Sequence, residues 1–77
     1  MHSIKPTSYQ TLVKIFKGFG CKYSHTKGDH MIFYHQNAIR PVVIPMYKEV
    51  PVFIIKNNMK VVGMTNEEYL RLLKETK

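Results

Sequence analysis

The dipeptide Gly28-Asp29 constrains this chain more than any other feature. It sits between two short runs, Cys21 to Lys27, which alternates roughly, and the β-rich His30 to His35. A Gly-Asp pair in that setting signals a tight antiparallel hairpin, because glycine supplies the positive φ such a loop requires. Gln36-Asn37 closes the hairpin, and Ile39 to Ile44 supplies a third strand of β-branched residues. Pro41 places that strand at an edge or marks a break in it. Three antiparallel strands are expected. Alternation puts His30, Ile32 and Tyr34 on one face of their strand and Met31, Phe33 and His35 on the other.

Helical signals flank this sheet. Thr7-Ser8-Tyr9-Gln10 fits a capping box, with Thr7 bonding the Gln10 amide. Tyr9, Leu12, Val13 and Phe16 then repeat at the spacing of one buried helix face, with Lys14 and Lys17 turned away. Gly18 and Gly20 offer left-handed positions to end that helix. Near the other end, Thr65-Asn66-Glu67-Glu68 is a second capping box, with Met64 set to pack on Tyr69 as a hydrophobic staple and Leu70 and Leu73 continuing the apolar side. The stretch from Val52 to Val62 reads two ways. Asn57-Asn58 between apolar runs suits a second hairpin. As a helix, Val52, Ile55, Met59 and Val62 share one face, bracketed by Pro51 and Gly63. Periodicity leaves the two even.

The chain has 77 residues, enough for one compact unit spanning 1–77, and no repeat or linker divides it. Lys plus Arg number 12 against 5 Asp plus Glu, a formal charge of +7. That field suits an acidic partner: RNA, DNA, an acidic protein or an anionic surface. The hydrophobic fraction of 44% is that of a folded domain, so the charge does not belong to a disordered tail. The single cysteine, Cys21, forms no disulfide within the chain, and a small domain without such staples is expected in a reducing cytoplasm. No apolar run approaches the roughly 20 residues of a membrane helix, and Met1 to Pro6 holds no signal core.

On the residues quoted so far, the chain resembles the HicA toxins, small ribonucleases of toxin–antitoxin systems. The resemblance runs through the first helix from Leu12 to Gly20, Lys27-Gly28-Asp29-His30, Val42-Val43-Ile44-Pro45, Lys48-Glu49, and Ile55 to Gly63-Met64-Thr65. It implies an α+β, double-stranded-RNA-binding-domain-like fold of order α-β-β-β-α-α, with helices on one face of a three-stranded antiparallel sheet, and so a helix over Val52 to Val62. It implies a metal-independent endoribonuclease that cleaves mRNA, neutralised by a HicB-like antitoxin, with His30 as the catalytic residue. The family's turn is usually glycine, serine, histidine. Here Asp29 takes the serine's place, and Tyr47 stands where a histidine is common.

The chemistry of the residues accords with that role. Metal-independent RNA cleavage needs a base for the 2′-hydroxyl, an acid for the leaving 5′-oxygen and positive charge near the phosphorus. His30 can be base or acid and Lys27 can stabilise charge. A second proton-transfer group is open among His25, Tyr34 and the loop around Tyr47 and Lys48. Lys22, Lys27, Arg40 and Lys48 are the candidate RNA-binding residues; singly each reads as a solvated charge, and together they could follow a phosphate backbone. Lys14, Lys17, Lys74 and Lys77 read as outer helix surface. Asp29 is expected to serve the turn by accepting nearby amides, with orientation of His30 as the lesser role. Tyr9, Phe16 and Phe33 read as core, Tyr34 and Tyr47 as candidates for base stacking, and Cys21 as a small buried apolar residue. No metal-ligand spacing is present, so no metal, cofactor or small-molecule ligand is expected. A non-catalytic RNA-binding module of the same fold is the alternative.

Overall fold

The computed structural model describes residues 3–76; Met1, His2 and Lys77, whose signal-free start and outer-surface reading were given above, lie outside the described residues. The elements are α1 (Tyr9–Gly18), β1 (Lys22–Lys27), β2 (His30–Tyr34), β3 (Val42–Pro45), α2 (Val52–Val62) and α3 (Asn66–Glu75). The strands form one antiparallel sheet in the order β1-β2-β3. This α+β arrangement has the expected element order, including the helix over Val52 to Val62. Among the described residues no helix is long and apolar enough to cross a membrane.

The core lies between the sheet and the helices. Leu12, Ile15 and Phe16 of α1, Phe33 of β2, Val42 and Ile44 of β3, and Ile55 of α2 are fully buried together with Val50 and Tyr69. Ile15, outside the spacing read from the sequence, is as buried as Leu12 and Phe16, while Tyr9 and Val13 are half-buried. A three- and fourfold repeat permits this wider apolar stripe, and packing against both β3 and α3 fills it.

Three sequence expectations shift at element ends. The cap of α1 is Ser8, not Thr7: its hydroxyl accepts the Thr11 N–H at 3.4 Å. Thr7 is engaged elsewhere, exchanging main-chain hydrogen bonds with Val50 (3.3 and 2.8 Å) and donating its hydroxyl to the Lys5 carbonyl at 2.8 Å. Gly18 is still helical and only Gly20 is left-handed, at φ 108°. Gly18 serves close approach instead, since a Cβ there would lie 3.2 Å from Leu72 Cδ2. The third strand starts at Val42, after Pro41, and Ile39 is fully solvent-exposed.

The later helices follow their local signals. α2 begins after Pro51 and ends at Gly63, whose φ of 72° is the left-handed cap. Ile55, Met59 and Val62 are buried on its inner face. α3 starts with a complete capping box: Thr65 Oγ1 accepts the Glu68 N–H at 3.1 Å and Glu68 Oε1 accepts the Thr65 N–H at 2.8 Å. Met64 and Tyr69, the staple pair, are both buried. Leu72 is the buried leucine of α3, whereas Leu70 and Leu73 are half-buried.

Asn58 closes one edge of the sheet. Its Oδ1 accepts the Val43 N–H at 3.2 Å and its Nδ2 donates to the Val43 carbonyl at 2.8 Å. One side chain of α2 thereby satisfies the outward main-chain groups of β3, as a fourth strand would. At the opposite edge β1 is exposed along its whole length.

Candidate active site

The β1–β2 hairpin is a two-residue loop with Lys27 opposite His30. Gly28 supplies φ 61° and Asp29 stays at negative φ, the sign pattern of a type II′ turn, whose hand matches the twist of the flanking strands. The turn is held from a third side, because the Met46 N–H donates to the Asp29 carbonyl at 2.8 Å. His30 also pairs with Pro45 of β3. The first residue of β2 is thus fixed by both neighbouring strands and by the loop that leaves β3.

Residues that pair across antiparallel strands share a face. On the side opposite Phe33 and Met31, the register assembles Lys27 with His30, His25 with Ile32, and Lys22 with Tyr34. This face is open over β1 and β2, where Lys22, His25, Lys27 and Tyr34 are exposed, and closes toward β3, where Val43 is half-buried and Pro45 buried.

Asp29 does more than serve the turn. Its Oδ1 lies 2.8 Å from His30 Nδ1, with the imidazole side chain 44% exposed. This corrects the preference for main-chain acceptance: the carboxylate orients the ring. A carboxylate on Nδ1 selects the tautomer that carries its proton there, leaving the Nε2 lone pair free to accept another. On a surface this exposed the pair adds little to stability, and its consequence is ring orientation.

The candidate cations separate into two groups. Lys27 is the cross-strand partner of His30, and Lys48 lies in the loop after Pro45, at the same end of the sheet. Lys22 is at the far end of β1, opposite Tyr34. Arg40 precedes β3 at that far end too, roughly 10 Å or more from the His30 level at the usual rise per residue. It lines a separate groove with Pro41, Asn57 and Lys60 between the β2–β3 loop and α2, and His30 is not part of it. Tyr34 shares the open face with His30, while Tyr47 is exposed in the loop whose Met46 binds the turn.

The other histidines differ in kind. His35 is structural: its Nδ1 accepts the Asn37 N–H at 3.1 Å, so its Nε2–H donates to the Phe19 carbonyl at 3.3 Å, and the ring stacks on Phe19. His25 is exposed, with Nδ1 2.9 Å from Ser24 Oγ. Cys21 is buried, and desolvation pushes its thiol up to about 11, which removes it as a nucleophile. Among the described residues no three His, Cys, Asp or Glu side chains group to hold a metal ion.

Sequence reasoning ranked one participant too low and missed another. The Asp29–His30 pair could be found in the adjacency of the two residues, but a turn aspartate has several acceptors' roles open to it. The tie from Met46 to Asp29 has no sequence signal, since it depends on where the β3 exit loop runs.

A family model described as the HicA toxin of bacterial toxin–antitoxin systems matches residues 9–64. The chain belongs to the HicA toxin family. The match takes in α1, the whole sheet with His30, and α2. This HicA-family chain is therefore a toxin of a toxin–antitoxin system, and its partner in kind is an antitoxin. No curated protein matches it.

Proposed function

We propose that this HicA-family toxin is a cytoplasmic, metal-independent endoribonuclease that cleaves mRNA by proton transfer at His30 and is neutralised by a HicB-like antitoxin. The observation that supports this most is the His30 imidazole, held at Nδ1 by Asp29 on a partly exposed side chain, with Nε2 in no hydrogen bond among the described residues and Lys27 across from it. A ribose 2′-hydroxyl hydrogen-bonded to Nε2 would lose its proton as the 2′-oxygen attacks phosphorus, and Asp29 would stabilise the imidazolium formed. The Lys27 ammonium would sit beside the non-bridging oxygens, where charge accumulates. An open face without an enclosing cleft suits an extended polymer better than a small molecule.

The test is incubation of the purified chain and its His30→Ala form with a long single-stranded RNA in EDTA. We expect cleavage by the intact chain and a loss of about 10²- to 10⁴-fold in the variant. Equal cutting by both would overturn the assignment. Binding of RNA by both, with no cutting by either, would replace it with the RNA-binding module.

A further inference from the structure

Proton transfer at His30 accounts for the 2′-hydroxyl but leaves the 5′-oxygen without a donor, and the sheet register bears on that donor. Strict alternation from Lys22, which faces with Tyr34, would put Ser24 and Thr26 on the open face and turn His25 and Lys27 to the other side. A β-bulge between Tyr23 and His25 reverses this. Tyr23 pairs with Phe33 and His25 with Ile32, so Ser24 is the extra residue, and beyond it His25 and Lys27 both join the face of Ile32 and His30. Bulges re-aim side chains in this way.

His25 is then the diagonal cross-strand neighbour of His30, a relation that places two residues about 7–8 Å apart, within reach of ring side chains. The two rings are anchored alike. Each has its Nδ1 against an oxygen of the preceding side chain, Ser24 Oγ at 2.9 Å for His25 and Asp29 Oδ1 at 2.8 Å for His30. Neither Nε2 has a hydrogen-bond partner among the described residues. The charged or titratable groups sharing this face with His25 are Lys22 and Lys27 of β1 and His30 and Tyr34 of β2, with Asp29 on His30; among the described residues β1 pairs with no other strand.

We infer that His25 is the second catalytic residue: its protonated Nε2 donates to the leaving 5′-oxygen while His30 Nε2 takes the 2′-hydroxyl proton. This rests on the ribonuclease reading above. In the step, the 2′-oxygen forms a bond to phosphorus as its proton passes to His30. The bond from phosphorus to the 5′-oxygen breaks, and that oxygen takes the proton from His25. The products are a 2′,3′-cyclic phosphate and a free 5′-hydroxyl, and no oxidant or metal is consumed.

A general acid is dispensable when the leaving group needs no proton, which gives the experiment. The intact chain, His25→Gln and His30→Ala are compared on a long RNA and on a ribonucleoside 3′-(4-nitrophenyl phosphate), across pH, with RNA affinity measured in parallel. On RNA, His25→Gln is expected to lose about 10²-fold or more and to lose the alkaline limb of the rate profile, with affinity held. On the nitrophenyl ester it should match the intact chain, while His30→Ala stays impaired on both. Equal defects of His25→Gln on the two substrates would make His25 a binding or structural residue and overturn the inference. Unchanged RNA cleavage by His25→Gln, with His30→Ala inactive, would overturn it while leaving the ribonuclease reading intact. No cleavage of either substrate by the intact chain would overturn both.

Discussion

Replacing Asn58 tests how the sheet is finished on its β3 side. The Asn58 side chain is 7% exposed and makes two hydrogen bonds, 3.2 and 2.8 Å, to the N–H and carbonyl of Val43. Each bond is worth about 0.5–1.5 kcal/mol net, and a buried main-chain group left without a partner costs about 1–3 kcal/mol. Asn58→Ala removes both bonds and leaves both Val43 groups facing the helix. Alanine's better helix propensity returns up to about 0.7 kcal/mol. The expected net loss is about 2–3 kcal/mol, read by urea titration followed by far-UV circular dichroism, and it corresponds to a fall in Tm of roughly 10–20 °C for a domain this size. Asn58→Asp sharpens the test. A carboxylate can accept from the Val43 N–H but opposes the Val43 carbonyl, whereas a protonated carboxyl can donate to it. The folded state should therefore raise the pKa of that carboxyl. The variant should be nearest the intact chain below the ordinary carboxylate range and fall behind as pH rises through the raised value. A loss under about 1 kcal/mol for Asn58→Ala, with no such pH trend for Asn58→Asp, would show that water satisfies the β3 edge and would refute the bridging role.

Four further outcomes are expected. The Tyr69 hydroxyl is buried and, among the described residues, makes no well-formed hydrogen bond; burial raises its pKa against a smaller lowering by the nearby Thr7 side chain, so Tyr69→Phe should hold or increase stability, by up to about 1–3 kcal/mol, in the same urea titration. The Thr65 hydrogen bonds lower the Glu68 pKa; the stability this carboxylate gives is present above the usual glutamate value and fades as pH falls through the lowered one, so acid titration of Glu68→Gln should lack that component. Lys27→Ala should slow RNA cleavage and reduce the slope of log affinity against log salt by about 0.7, as loss of one single-strand phosphate contact does. Arg40→Ala, altering a residue at the other end of the sheet, should leave the cleavage rate unchanged, and an equal effect of the two would contradict the separation of these cations.

The turn at Gly28-Asp29, the Thr65 capping box, the Met64–Tyr69 staple and the left-handed Gly63 were legible because each is settled within a few residues, by caps and φ preferences that do not depend on distant contacts. The face shared by His30, Ile32 and Tyr34 followed from alternation, which holds as long as a strand is regular. The same rule fails in β1, where the bulge at Ser24 changes the phase and decides which side His25 and Lys27 take. The helix at Val52 to Val62 lay between: its bracketing by Pro51 and Gly63 and its β-branched content favoured opposite answers, and the family resemblance tipped the reading to helix.

The sequence by itself determined the turn, the helix start at Thr65 and the basic balance, while the helix between Pro51 and Gly63 and the choice of His30 rested on the family resemblance. Tertiary structure alone decided that Asn58, a residue that also suits a turn, reaches Val43 across 15 positions of chain. It likewise chose the imidazole over the turn amides for Asp29, tied that turn to Met46, and divided Lys27 and Lys48 from Lys22 and Arg40. The physical reason is the range of the forces involved. Caps and turns are fixed by neighbours along the chain, whereas register, edge closure and the sorting of charges are fixed by partners brought together only when the sheet and helices share a core.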